Sequence, residues 1–145
     1  MEVYTIGFTH KSAEQFFETL KKNGVRRLLD IRLNNVSQLA GFAKKNDLAY
    51  FLKMILDIEY VHELLLAPTQ EIIDDWRKGS RNWDRFEWRY DSLLTERKVE
   101  ERVDRKLLEG QTVLLCSEET AEHCHRRLAL EYLKQYWTDI EAVHL

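Results

Sequence analysis

Both cysteines of this chain and two of its five histidines fall in one short segment, Leu114-Leu115-Cys116-Ser117-Glu118-Glu119-Thr120-Ala121-Glu122-His123-Cys124-His125-Arg126. Thiols become nucleophiles or metal ligands once they lose a proton, and the local electrostatics decide how readily they do. An apolar run, Thr112 to Leu115, stops at Cys116. A polar turn follows, and then a helix that carries Cys124, His125 and Arg126 in its first turns. Aligned backbone dipoles and uncommitted N–H groups at a helix start favour an anion or a thiolate.

Several chemistries suit these residue types. In the first, Cys116 is a nucleophile or redox thiol, Glu118 or Asp30 acts as acid/base, His125 tunes the thiol, and Arg32 with Arg126 holds an anion. The plainer alternative is a small buried hydrophobe at a strand end. In the second, Cys116, Cys124 and His125, with His10, His123 or Asp30 as fourth ligand, bind zinc or iron. The spaced-pair signature of such sites is missing. On a helix, Cys124 and His125 would also point about 100° apart. A regulatory Cys116–Cys124 disulfide is a third option. The separation of Cys116 from Arg126 is too long for the Cys-x5-Arg phosphate loop of tyrosine phosphatases.

Positioning these groups falls to a regular alternation of strands and helices. Val3 to Gly7 reads as a buried strand. Ala13, Phe16, Phe17 and Leu20 mark one face of a helix that Asn23-Gly24 ends. Arg27 to Ile31 is a second strand with Asp30 and Arg32 at its end, and residues 34–41 form a loop. Asn46 or Asp47 caps a helix bearing Leu48, Phe51, Leu52 and Ile55. Ile58 to His62 is a third strand, and Pro68 precedes a helix starting near Thr69. After Gly79-Ser80, a helix turns Trp83, Phe86, Tyr90 and Leu93 inward. Thr95 starts another with Val99, Val103 and Leu107. Gly110 ends it, and the Cys116 strand follows. The last helix carries Ala129, Tyr132, Leu133 and Tyr136, and Ile140 to Val143 is a final strand.

This pattern predicts a single three-layer α/β domain over 1–145, with a mostly parallel sheet of about five strands and helices on both faces. Ligands of such sheets bind beyond the carboxyl ends of the strands. Gly7 and His10, Asp30 and Arg32, His62, and Cys116 and Glu118 all lie at or just past a strand end. His62 itself reads more simply as a satisfied histidine near the core.

Bulk composition narrows the partners. The 145 residues carry 22 Lys+Arg against 25 Asp+Glu, a net charge of −3, so no general attraction to nucleic acid or an anionic membrane is expected. No apolar stretch reaches the roughly 20 residues of a membrane span. The start of the chain shows no signal-peptide pattern, and two cysteines make no disulfide scaffold, so a reducing cytoplasm is expected. Arg81, Arg85 and Arg89 recur every four residues among Trp76, Trp83, Phe86, Trp88 and Tyr90, in the manner of nucleic-acid contacts. Asp84, Glu87 and Asp91 dilute that stripe, and a solvated helix face over an aromatic core is the preferred reading. An anionic small molecule or nucleotide is the favoured partner. No particular cofactor or oligomeric state is specified.

Thr5-Ile6-Gly7-Phe8-Thr9, Leu29-Asp30-Ile31-Arg32 with Ser37, Ile58-Glu59-Tyr60-Val61-His62, and Leu114-Leu115-Cys116-Ser117-Glu118 with Cys124-His125-Arg126 together resemble the DUF488 family. The likeness runs through nearly the whole chain in order, and the Cys-x-Glu…Cys-His-Arg block is its most specific part. The family has no settled activity. The resemblance implies a compact α/β domain whose site comprises Gly7, Asp30, Arg32, Ser37, Cys116, Glu118, Cys124, His125 and Arg126. Two departures stand out: Asn35 where a proline is expected and Gln38 where a basic residue commonly follows the serine. They imply a different ligand, or a weaker one, at the loop after Arg32.

Overall fold

The computed structural model describes residues 1–34, 45–79, 81–117 and 122–145. The chain runs β1 (Glu2–Gly7), α1 (Ala13–Lys22), β2 (Arg27–Asp30), α2 (Lys45–Phe51) leading into a π-helical turn (Leu52–Leu56), and β3 (Glu59–His62). It continues with α3 (Gln70–Lys78), α4 (Trp83–Arg97), α5 (Val99–Arg102), β4 (Thr112–Cys116), α6 (His125–Lys134) and β5 (Glu141–His144). The five strands make one sheet in the order β3-β2-β4-β1-β5, parallel at every pairing. The α/β expectation holds, and the sheet is wholly rather than mostly parallel.

Helices cover both faces. Phe16, Phe17 and Leu20 of α1 and Leu48 of α2 pack with Ile6, Leu28, Val113 and Leu115 on one side. Residues of α3 to α6 pack with Val3, Leu29, Leu114 and Cys116 on the other. Because both faces are buried, β4 is apolar at almost every position rather than alternating, and all of its residues are buried. Its pleat nevertheless sorts the side chains: Val113 and Leu115 join the first layer, Leu114 and Cys116 the second.

This sorting gives β4 a special position. The chain leaving β1 and β2 enters helices of the first layer, whereas the chain leaving β4 enters α6 in the second. Adjacent strands whose connections part to opposite faces open a crevice at their carboxyl ends. Cys116, the last residue of β4, stands at that crevice and is paired in register with Gly7.

Local signals explain most helix boundaries. Ser12 and Gln15 form a reciprocal capping box at α1, and the Thr69 hydroxyl accepts from the Ile72 N–H at α3. Gly79 closes α3 where any Cβ would meet the Asp75 carbonyl oxygen at 2.7 Å. Three expectations are corrected. Thr95 starts no helix: α4 runs through Arg97, and Lys98 turns left-handed at φ 53°. Arg97 anchors that end by donating to the carbonyls of Leu64, Leu65 and Ala67 at 3.2, 2.9 and 2.7 Å. On α4, Phe86, Tyr90 and Leu94 keep a spacing of four and are buried, and Leu93 packs partly buried against the same core. Asn46 and Asp47 lie inside the first turn of α2 rather than at its cap. Tyr136 falls beyond α6, half exposed, with its ring against Tyr132. Among the described residues no helix is long and apolar enough to cross a membrane.

Candidate functional site

At the end of β4, Cys116 is joined to Cys124 by a disulfide, with the two Cα atoms 7.2 Å apart. Both cysteines are buried, yet both line a cleft between the β4 end and helices α3 and α4. Cys124 is the N-cap of α6, with extended backbone (φ −138°, ψ 142°), and His125 is the first helical residue. The two side chains therefore do not diverge as successive positions on a helix would. The ligand atoms of Cys116, Cys124 and His125 all lie within 4.8 Å of one another.

Arg126, one residue further into α6, is fully buried. Its Nη1 donates to the Cys116 sulfur at 3.5 Å. His125 Nε2 lies 2.8 Å from the Ile31 carbonyl oxygen, which can only accept, so Nε2 carries the hydrogen and Nδ1 keeps its lone pair. Burial holds the His125 pKa down at about 4; the Ile31 hydrogen bond and Asp30 oppose the shift, and Arg126 adds to it. The ring packs edge-on to Tyr90, whose hydroxyl donates to the Leu66 carbonyl at 2.6 Å. His125 is thus a neutral imidazole across the physiological range.

Asp30 turns to the other face of the sheet, and Arg32, just past the end of β2, reaches the cleft. Leu28 packs in the first layer and Leu29 in the second, so the pleat returns Asp30 to the first. There its carboxylate accepts from Arg32 Nε and Nη2 at 2.9 and 2.8 Å, from the Arg32 backbone N–H at 3.1 Å, and from the Tyr60 hydroxyl at 2.6 Å. The Arg32 guanidinium also sits over the Phe8 ring. His62 Nε2 meets the Arg32 carbonyl at 2.7 Å, as expected of a satisfied histidine. This is a buried, many-partnered ion pair.

The strand ends converge on one rim: Arg32 lines the same cleft as Cys116, Cys124 and His125, while the Asp30 carboxylate turns to the first layer and pairs with the Arg32 guanidinium. The β1–α1 loop closes against the rim through Thr9, whose N–H and hydroxyl both donate to the Ser117 carbonyl. Ser37, Glu118, Asn35 and Gln38 lie outside the described residues.

The cleft gathers residues that the sequence offered to other sites, Trp76, Trp83 and Phe86 to a nucleic-acid stripe and His123 to a metal. Trp76, Trp83 and Phe86 form one wall, with Trp83 and Phe86 stacked at 5.1 Å and Trp76 edge-on to both. His123 stacks on Trp83 at 4.9 Å. Arg77, exposed at the end of α3, lines the cleft too. Aromatic spacing had marked Trp83 and Phe86 as core. The usable signal was that α3 and α4 follow the β3 end, on the rim where ligands bind. The arginine stripe is largely neutralised from α3. Arg85 pairs with Asp75 at 2.7 Å, and Arg89 with Glu71 at 3.0 Å and Asp75 at 3.5 Å. Arg81 precedes the helix and lies over the Trp76 ring.

A parallel sheet covered by helices on both faces, with a bridged cysteine pair and a buried arginine at its switch point, defines the class: a doubly covered α/β domain. The chain matches the family model described as "Domain of unknown function DUF488" over residues 12–133, and it belongs to that family. No curated protein and no solved structure shows significant similarity to it.

Proposed function

We propose that this domain is a cysteine-dependent enzyme or enzyme-like module in which Cys116 is the attacking thiolate and Cys124 the resolving thiol. The observation that carries the reading is the Arg126 guanidinium, buried and 3.5 Å from the Cys116 sulfur. Burial alone raises a thiol's pKa. A full positive charge donating a hydrogen bond to the sulfur, in a medium that screens poorly, outweighs it and favours the thiolate. Cys124 caps a ten-residue helix, where the dipole favours a second thiolate.

The chemistry that suits such a pair is thiol–disulfide exchange. The Cys116 thiolate attacks one sulfur of a disulfide R–S–S–R′, forming a Cys116–S–R bond and releasing R′–S⁻. Cys124 then attacks Cys116, the internal disulfide closes, and R–S⁻ leaves. Two electrons pass from the protein dithiol to the substrate, and the Cys124 proton leaves with a product thiolate or to water. The Trp76, Trp83 and Phe86 wall suits a planar apolar portion of the ligand, and Arg77 at the edge suits an anionic one. Asp30, whose oxygens are already taken by Arg32 and Tyr60, is assigned the role of holding the rim rather than moving a proton.

The test uses reduced protein and a chromogenic aromatic disulfide carrying carboxylates. The wild type should release two equivalents of aryl thiol and end with the internal bond. Cys124→Ser should stop after one, with the adduct on Cys116 by peptide mass spectrometry. Failure of Cys124→Ser to form an adduct on Cys116, or an equally fast adduct on Cys124 in Cys116→Ser, would overturn the assignment.

A further inference from the structure

The geometry points to a second occupant of the same residues. We propose that, when reduced, Cys116, Cys124 and His125 form a three-ligand zinc site at the edge of the aromatic cleft. The site rests on the thiol pair of the preceding section, but not on that pair's reactivity toward a substrate.

Three observations support it. The donor atoms, two sulfurs and an imidazole nitrogen, lie within 4.8 Å of one another and are buried. That donor set is borderline-soft and suits zinc, and three protein ligands leave a fourth position for a water or an anion from the cleft. Next, the two cysteine Cα atoms are 7.2 Å apart, a little beyond the roughly 4.4–6.8 Å usual for a bridged pair. Sulfurs sharing a tetrahedral zinc at about 2.3 Å each sit about 3.8 Å apart, which such a spacing accommodates. Third, the outer contacts of a metal site are already in place. The Ile31 carbonyl accepts from His125 Nε2 at 2.8 Å and so fixes Nδ1 as the coordinating nitrogen. Arg126 Nη1 donates to the Cys116 sulfur, as N–H groups do to ligating thiolates. The extended backbone of Cys124 removes the angular objection that a helical Cys-His pair would raise.

Bound zinc would occupy both sulfurs, so metal binding slows nucleophilic attack. A disulfide R–S–S–R oxidising the two thiolates forms the Cys116–Cys124 bond, releases two R–S⁻ and sets Zn²⁺ free. Zinc retention is therefore redox-gated.

The experiment titrates the full-length protein, reduced and anaerobic, with Zn²⁺ against a chromophoric chelator, and separately with Co²⁺. Expected are one zinc per chain, none in the oxidised protein, and a cobalt spectrum with thiolate charge-transfer and intense tetrahedral visible bands. Cys124→Ser should weaken zinc by at least about a hundredfold, beyond what loss of an outer-shell contact alone does. One equivalent of zinc should also slow iodoacetamide labelling of Cys116. Substoichiometric zinc in reduced wild type, or a cobalt spectrum without thiolate bands, overturns the site whether or not any variant folds. The two proposals separate cleanly. Fast metal-free labelling without zinc binding defeats this inference alone, whereas zinc binding with an inert metal-free thiol defeats the proposed function alone.

Discussion

Arg126 and Cys116 are ten positions apart in sequence, and their side chains meet at 3.5 Å with both residues fully buried. The sulfur comes from the end of a central strand and the guanidinium from the first turn of the helix that follows it. A guanidinium so placed acts on that sulfur as well as on His125. Replacing it by the neutral Arg126→Gln should slow alkylation of reduced Cys116 at neutral pH by about tenfold or more, the effect of one unit in thiol pKa. Arg126→Lys, which keeps the charge, should lose less. Rates equal to wild type in a natively folded Gln variant would show that the arginine only packs.

The Asp30–Arg32 pair makes the opposite prediction, because the Asp30 carboxylate turns to the first layer, away from the layer that holds Cys116. Asp30→Asn removes the carboxylate charge from a guanidinium that is 3 % exposed, and breaking a buried pair from one side costs about 3–5 kcal/mol. Urea unfolding should show that loss, with the labelling rate of Cys116 in the folded fraction unchanged. A loss below about 1 kcal/mol would mean that water reaches the pair.

His125 sets a pH dependence of stability. Its folded pKa is depressed from 6.5 to about 4, chiefly by burial. Below about pH 6.5 the unfolded chain takes a proton that the folded chain refuses until about pH 4, so the unfolded state binds more protons in that window. The contribution is complete above the window and is lost as pH falls through it, at up to about 1.4 kcal/mol per pH unit. His125→Asn should remove that one-proton slope from chemical-denaturation data. Parallel slopes for variant and wild type would contradict a buried neutral imidazole.

The Arg85–Asp75 contact should be nearly silent. Arg85 is more than half exposed, and exposed ion pairs contribute about 0–1 kcal/mol. Arg85→Ala should lower stability by no more than that and leave Cys116 labelling untouched. A loss above about 2 kcal/mol would indicate that α3 and α4 are held together by charge rather than by the Trp76, Trp83 and Phe86 cluster.

Most of the framework was legible in the sequence because buried parallel strands and one-faced helices announce themselves by period. Val3 to Gly7, Arg27 to Ile31 and Thr112 to Cys116 could be read as strands, and the rim rule then gathered Gly7, Asp30 and Cys116 at one end. Which face each rim residue takes was not legible. That depends on the pleat phase of β2 and β4, and in strands buried on both sides the apolar run hides the phase. Hence the pairing of Asp30 with Arg32, and the approach of Arg126 to the sulfur, came from the structure alone. The angular objection to a shared ion at Cys124 and His125 fails for a related reason: a residue at a cap has strand-like backbone, so helical angles do not apply to it. The α4–α5 break at Lys98 left no glycine or proline to mark it, since a lysine takes the left-handed position.

The most direct measurement is the rate of iodoacetamide labelling at Cys116 in the reduced, metal-free protein, followed by peptide mass spectrometry from about pH 5 to about pH 10. Arg126 beside the sulfur predicts labelling that is already fast at neutral pH, with an apparent pKa clearly below the value of about 8.5 of an unperturbed thiol. An apparent pKa at or above that value, or a sulfur inert throughout the range, would contradict the account.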